Sequence, residues 1–231
     1  LENPKVINDF VASKFKYPRD IVTTSIAGSQ FALVATPGSH SVQILDISDP
    51  SNPQYSSEIF DGSPNATHLG NAHGIRVTEI NNKTYAIVAS PNDNAVTIVD
   101  ISIPSSPSAV STLIDGNGNF NDLDHAHGVE TAEIDNRYFA FVASRHDDSI
   151  QIIEISDPAT PIFVSSLKNG QGYALDDVTR ISIASNGLKT LLLATAQASN
   201  KLQIVDITNP SDPSSLAVVD INKPSEIRTT Q

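Results

Sequence analysis

The hydrophobic positions of this chain fall into short runs, separated by clusters of Gly, Pro, Asn, Asp and Ser. Some runs alternate, as in Gly74–Ile80 (GIRVTEI). Others, such as Thr84–Ala89 (TYAIVA) and Val42–Ile47 (VQILDI), are apolar on both faces. Alternation, β-branched residues and turn-forming punctuation predict strands. A strand that is apolar on both sides predicts a sheet held between two other layers. No segment longer than a turn carries a helical period.

One of these runs occurs four times, as Val42–Pro53 (VQILDISDPSNP), Val96–Pro107, Ile150–Pro161 and Leu202–Pro213. Its acids, Asp46, Asp100, Glu154 and Asp206, are spaced by 54, 54 and 52 residues. A period of this size means one supersecondary unit repeated in an array. Each unit reads as four strands, A to D. In the second these are Gly74–Ile80, Thr84–Ala89, Val96–Ile101 and a strand opening at Pro107. A proline at the start of every strand D places that strand on an edge, since it cannot donate to a ladder. The pattern predicts an all-β fold, a β-propeller of four four-stranded antiparallel blades in one domain. The repeats run over about 17–60, 71–114, 125–167 and 177–219, with 220–231 as a tail. Residues 1–16 add a linker and an extra outer strand, because Asn3–Phe10 resembles the strand D segment Asn52–Ile59. One outer strand too many suggests a segment of a larger propeller, or self-association with another copy. The abrupt opening at Leu1, without Met, fits a piece of a longer product.

The segments VTIVDIS, LQIVDIT and VQILDIS, each after an apolar strand ending in Val-Ala or Leu-Ala, resemble the LVIVD-repeat family. The likeness runs from about Phe31 to Pro213. It implies a propeller and an extracellular or cell-surface address, and it implies no reaction. Glu154 departs from the family's Asp, and the fourth unit is shorter and lacks an aromatic-led strand B.

The formal charge of −12 argues against nucleic acid or an anionic membrane as partner. Charged residues are only 17%, so Ser, Asn and Thr carry much of the surface. There is no Cys, hence no disulfide framework or thiol chemistry. No run approaches the length of a membrane span. No serine lies in a Gly-x-Ser-x-Gly elbow and no glycine loop suits a phosphate. Asn65-Ala66-Thr67 and Asn82-Lys83-Thr84 match glycosylation sequons, near chance in so Asn-rich a chain.

Residues common to every unit are most simply explained by the unit's own fold, so the four strand-C acids are read as corner caps. Residues confined to one or two units are candidates for function. His73 and His127, 54 apart, precede strand A, which lines the axis of a propeller. The equivalent positions hold Arg19 and Thr179, and two residues upstream lie Tyr17, Asn71, His125 and Asp177. His73, His125, His127 and Asp177 form a candidate set for a divalent metal. The alternative is a polar plug of the channel. The loops between strands B and C open on the same face, and Arg145, His146 and Asp147 stand out among them as ligand-binding candidates with Arg19 and the histidines. Asp115, Asn117 and Asn119 offer oxygens at alternate positions, as a calcium loop does, although Phe120 replaces the turn glycine of an EF-hand. No cofactor is certain; calcium or a transition metal is the candidate. The favoured expectation is a non-enzymatic extracellular module binding a protein, small molecule or glycan through the strand-A face. The alternatives are a metal-dependent hydrolase and a purely structural repeat of a surface assembly.

Overall fold

The computed structural model describes residues 14–64, 66–185 and 187–221. Among these residues, sixteen strands form four antiparallel four-stranded sheets, each meandering through consecutive strands. Blade one is β1 (Asp20–Ile26), β2 (Ser29–Thr36), β3 (Ser41–Asp46) and β4 (Gln54–Phe60). Blade two is β5 (Gly74–Ile80), β6 (Lys83–Ser90), β7 (Ala95–Asp100) and β8 (Ser108–Ile114). Blade three is β9 (Ala126–Ile134), β10 (Arg137–Ser144), β11 (Ser149–Glu154) and β12 (Ile162–Lys168). Blade four is β13 (Val178–Ser185), β14 (Thr190–Ala196), β15 (Lys201–Asp206) and β16 (Ser214–Asp220). The all-β propeller architecture is thus the observed one. The third strand of each blade ends at its acid, one residue before the expected Ile, and the proline lies just before the fourth strand. The proposed outer strand Asn3–Phe10 lies outside the described residues, as do Asn65 of the first sequon and most of the tail.

The core lies between the blades, as strands apolar on both faces require. Each gap joins one face of a blade to the opposite face of the next. Leu33, Val42, Ile44 and Ile59 of blade one meet Ile75, Val88, Val99 and Ile101 of blade two. Ile87, Val96, Ile98 and Leu113 then meet Val129, Val142, Ile153 and Ile155. Phe141, Ile150, Ile152 and Leu167 meet Ile181, Leu192, Val205 and Ile207. The inner strands pack in series, β1 on β5, β5 on β9 and β9 on β13, with no comparable packing of β13 on β1. Among the described residues the blades form an open arc.

The strand-C acids hold corners. Asp46, Asp100 and Asp206 accept the backbone N–H two residues on, at 2.9, 2.9 and 3.0 Å. Glu154, longer by a methylene, takes the Ser156 hydroxyl instead, at 3.0 Å. Ser48, Ser102, Ser156 and Thr208 in turn accept the N–H of Gln30, Thr84, Tyr138 and Thr190. Three of the acids also pair with a cation at the start of the neighbouring strand: Lys83 with Asp100, Arg137 with Glu154 and Lys189 with Asp206. Lys189 and Thr208 together hold the Asp206 carboxyl down at about 2.

Candidate functional site

Two repeated devices bring the starts of the inner strands together at the axis. The first is a latch between blades. His40, Asn94 and Asp148, each in left-handed backbone at the end of a B–C loop, accept the N–H of Asn71, His125 and Asp177 at 2.8, 2.9 and 2.7 Å. Tyr17, Asn71, His125 and Asp177 are themselves left-handed. The loops then bond back, as when the N–H of Arg145 donates to the His125 carbonyl. The second device is glycine at the point of closest approach. A Cβ on Gly74 would stand 2.5 Å from the His127 carbonyl oxygen, and one on Gly128 2.5 Å from that of Thr179. These latches escaped the sequence reading. Their signal was an αL-tolerant residue (His, Asn, Asp, Asn) recurring at the same step as the strands.

The approach stacks four imidazoles into a chain. The ring centres of His73 and His127 lie 3.7 Å apart, those of His127 and His125 5.8 Å, and those of His125 and His146 4.3 Å. The expected gathering of His73, His125 and His127 is observed, and His146 extends it outward along the loop. Burial, then the positive charges of Arg180 and Arg19, hold His73 down at about 4. Burial, then neighbouring His73 and Arg180, hold His127 at about 3. His125 is lowered by burial, then by His146 and Arg145. The inner imidazoles are therefore neutral at physiological pH. The Nδ1 atoms of His73, His125 and His127 are buried without a hydrogen-bond partner among the described residues.

Arg19 acts on His73 through its charge, and so does Arg180, which was not among the candidates. Arg180 occupies the strand position held by Asp20, Gly74 and Gly128 in the other blades, and that break in the repeat was its signal. Three residues beyond His73 and His127, Arg76 bridges Asp20 at 2.9 Å and Glu130 at 2.8 Å, tying three inner strands together. No ion pair joins Arg19 or Arg180 to an acid among the described residues.

The set His73, His125, His127 and Asp177 is not gathered as a metal site among the described residues. No three His, Asp or Glu among the described residues are gathered as a metal ion would require. The His73 and His127 rings are tilted by 43° to each other, and the Asp177 carboxylate is taken by Arg145. In the Asp115 loop, the carboxylate accepts the Leu123 N–H at 2.9 Å. Asp61 and Asn169 do the same for Leu69 and Leu175, so the Asp115 carboxylate takes part in a third repeated cap. Asn117 and Asn119 stand exposed in a turn closed by Gly116 N–H to the Phe120 carbonyl. Asp147 accepts the Asp124 N–H at 2.7 Å, and His146 lies 3.5 Å from the Asp124 carboxylate. Burial, with Asp115, Asp122 and Asp124 nearby, pushes Asp147 up to about 6.

Solved structures share this architecture. A functionally unknown protein from Desulfotomaculum acetoxidans superposes with a TM-score of 0.65 at 12% identity, over 90% of this chain and 57% of that one. The periplasmic gluconolactonase of Pseudomonas aeruginosa gives 0.64 at 15% identity, over 89% and 55%. The exo-β-1,3-galactanase of Phanerochaete chrysosporium gives 0.58 at 12%, over 90% and 50%. Identities this low speak for the fold alone, and the chain spans about half the length of each. No curated protein matches it in sequence. The model of the LVIVD repeat matches residues 30–60, 70–114, 138–169 and 195–216. These stretches cover more than half of the chain and carry the third strand of every blade, with nearly all of the second strand in blades one to three, so the chain belongs to the LVIVD-repeat family.

Proposed function

We propose that this chain is an exported, non-enzymatic propeller module that binds a small anionic ligand at the axial histidine–arginine cluster. One observation carries the reading. In a chain with 26 acids against 14 Lys and Arg, two arginines without an acidic partner among the described residues both act on the buried His73. A guanidinium with no carboxylate already paired to it favours the planar fork of a carboxylate or phosphate. Neutral imidazoles beside it add N–H donors without further charge to desolvate. The variable B–C loops, with Arg145, His146 and Asp147, would then contact the rest of the ligand. The export assignment rests on the resemblance to a family found mostly in secreted and surface proteins.

The test is a titration followed by the imidazole 1H–15N resonances, using inorganic phosphate first and then mono- and dicarboxylates. Saturable shifts at His73 and His127 are expected, and Arg180→Ala should weaken binding by about tenfold, or 1.4 kcal/mol. Unmoved histidine resonances across all of these anions would refute the reading.

A further inference from the structure

The same positions are buried in three gaps of the arc and uncovered at its two ends. At the blade-four end, Val219 is 42% exposed, whereas its counterparts Ile59, Leu113 and Leu167 are buried. Leu193, Leu202 and Ile204 are half-buried where Leu33, Val42 and Ile44 of blade one are fully covered. At the blade-one end, Ile21 is 61% exposed, and its counterparts Ile75, Val129 and Ile181 are buried. Leu45 and Ile47 are only half-buried, while Val99 and Ile101, Ile153 and Ile155, and Val205 and Ile207 lie in the core.

These two end faces are not two arbitrary apolar patches. Each is one half of the interface that already joins blades one to two, two to three and three to four. What covers such a face in this molecule is the opposite face of another blade of the same kind, and this chain carries both halves. We infer that two copies associate head to tail, with the β14–β16 face of one molecule seated on the β1–β3 face of a second. The contact continues the established inter-blade interface. Asn200, left-handed like His40, Asn94 and Asp148, supplies the latch acceptor for the N–H of Tyr17, which is left-handed like Asn71, His125 and Asp177. Two polar links of the internal gaps are missing from this one. Ser57, Ser111 and Ser165 donate to the carbonyls of Pro104, Pro158 and Pro210, but blade four has Ala217 at that position. Ile221 stands where Asp61, Asp115 and Asn169 cap a leucine N–H. The intermolecular contact is accordingly weaker than the intramolecular ones. Being heterologous, it yields a closed ring where the rotation permits and a longer array where it does not.

Complementation distinguishes this arrangement from general stickiness. Ile21→Lys charges the blade-one face and Val219→Lys the blade-four face, both at exposed positions where folding, checked by thermal melting, is retained. In sedimentation velocity over a concentration series, wild type should associate and each variant alone should remain monomeric. An equimolar mixture of the two should regain a dimer, since each variant keeps the face that the other lost. A monomeric wild type would overturn the inference, whether the faces are covered by the chain's own terminal segments or by a further repeat from another polypeptide. Association that survives in either single variant, or fails to return in the mixture, would overturn it equally.

Discussion

Asp100 and Asp147 are both carboxylates next to strand ends, and their surroundings give them opposite effects. Asp100 accepts the Ser102 N–H and pairs with Lys83 at 3.0 Å. Asp100→Ala leaves both of these groups without their acceptor, at a corner that recurs with the same N–H bond at Asp46 and Asp206, and should cost about 1–2 kcal/mol in denaturant unfolding. Ligand affinity measured on the folded protein should not change. Asp147 sits among other acids with its pKa raised to about 6. A carboxyl raised above its unfolded value contributes stability when protonated, and that contribution is lost as pH rises through the folded value. Asp147→Asn should therefore stabilise the protein at pH 7 by roughly 1 kcal/mol, discounted for partial solvent screening. The gain should vanish near pH 4. A melting series from pH 4 to 8 checks both ends of that window.

At the scale of the strand, the decisive residues are those without side chains. Strands β5 and β9, and β9 and β13, approach closely enough that a single Cβ at Gly74 or Gly128 would collide with a backbone carbonyl. Backbone cannot turn aside as a flexible side chain can. Gly128→Ala should thus separate blades three and four, with a loss of about 2 kcal/mol or more, in the range of overpacked cores. It should also move the resonances of the adjoining His127 by drawing Arg180 of blade four away from it. Gly116, in an exposed turn with open space around it, provides the control for the loss of a glycine elsewhere. Its φ of 74° makes Gly116→Ala mildly strained, but its effect should leave the histidine signals untouched.

Across the whole molecule, stability is close to a sum of blades and the gaps between them. The buried histidines add a pH dependence to this sum. His73 and His127 have folded values of about 4 and about 3, below the ordinary 6.5. A lowered histidine favours the native state above its unfolded value, and the advantage is lost as pH falls from about 6.5 through the folded values. Acid unfolding should therefore begin below pH 6.5 and steepen toward pH 4. Replacing both residues with Gln should flatten that limb, as read by circular dichroism across the same range. An unchanged limb would place the acid sensitivity in the carboxylates instead.

The blade count, strand order and structural role of the strand-C acids were legible in the chain because each is written four times at a regular step. Local pattern is enough for them: alternation sets strands, and an acid followed by Ile-Ser and prolines sets a corner. The gathering of His73, His125 and His127 was legible for the same reason, as equal positions in successive blades converge on one axis. Other features were decided only by tertiary structure. Asp177 could have faced the histidines or Arg145, and the distance across the blade boundary gave it to Arg145. Asp115 read as one oxygen donor in an open turn, and folding made it also the acceptor of the Leu123 N–H. Arg180 looked like one more strand residue until folding set its charge against two imidazoles from other blades. Ile21 and Val219 read as core residues by their place in the repeat. Their exposure follows from something no single repeat contains, their place at the two ends of the arc formed by the described residues.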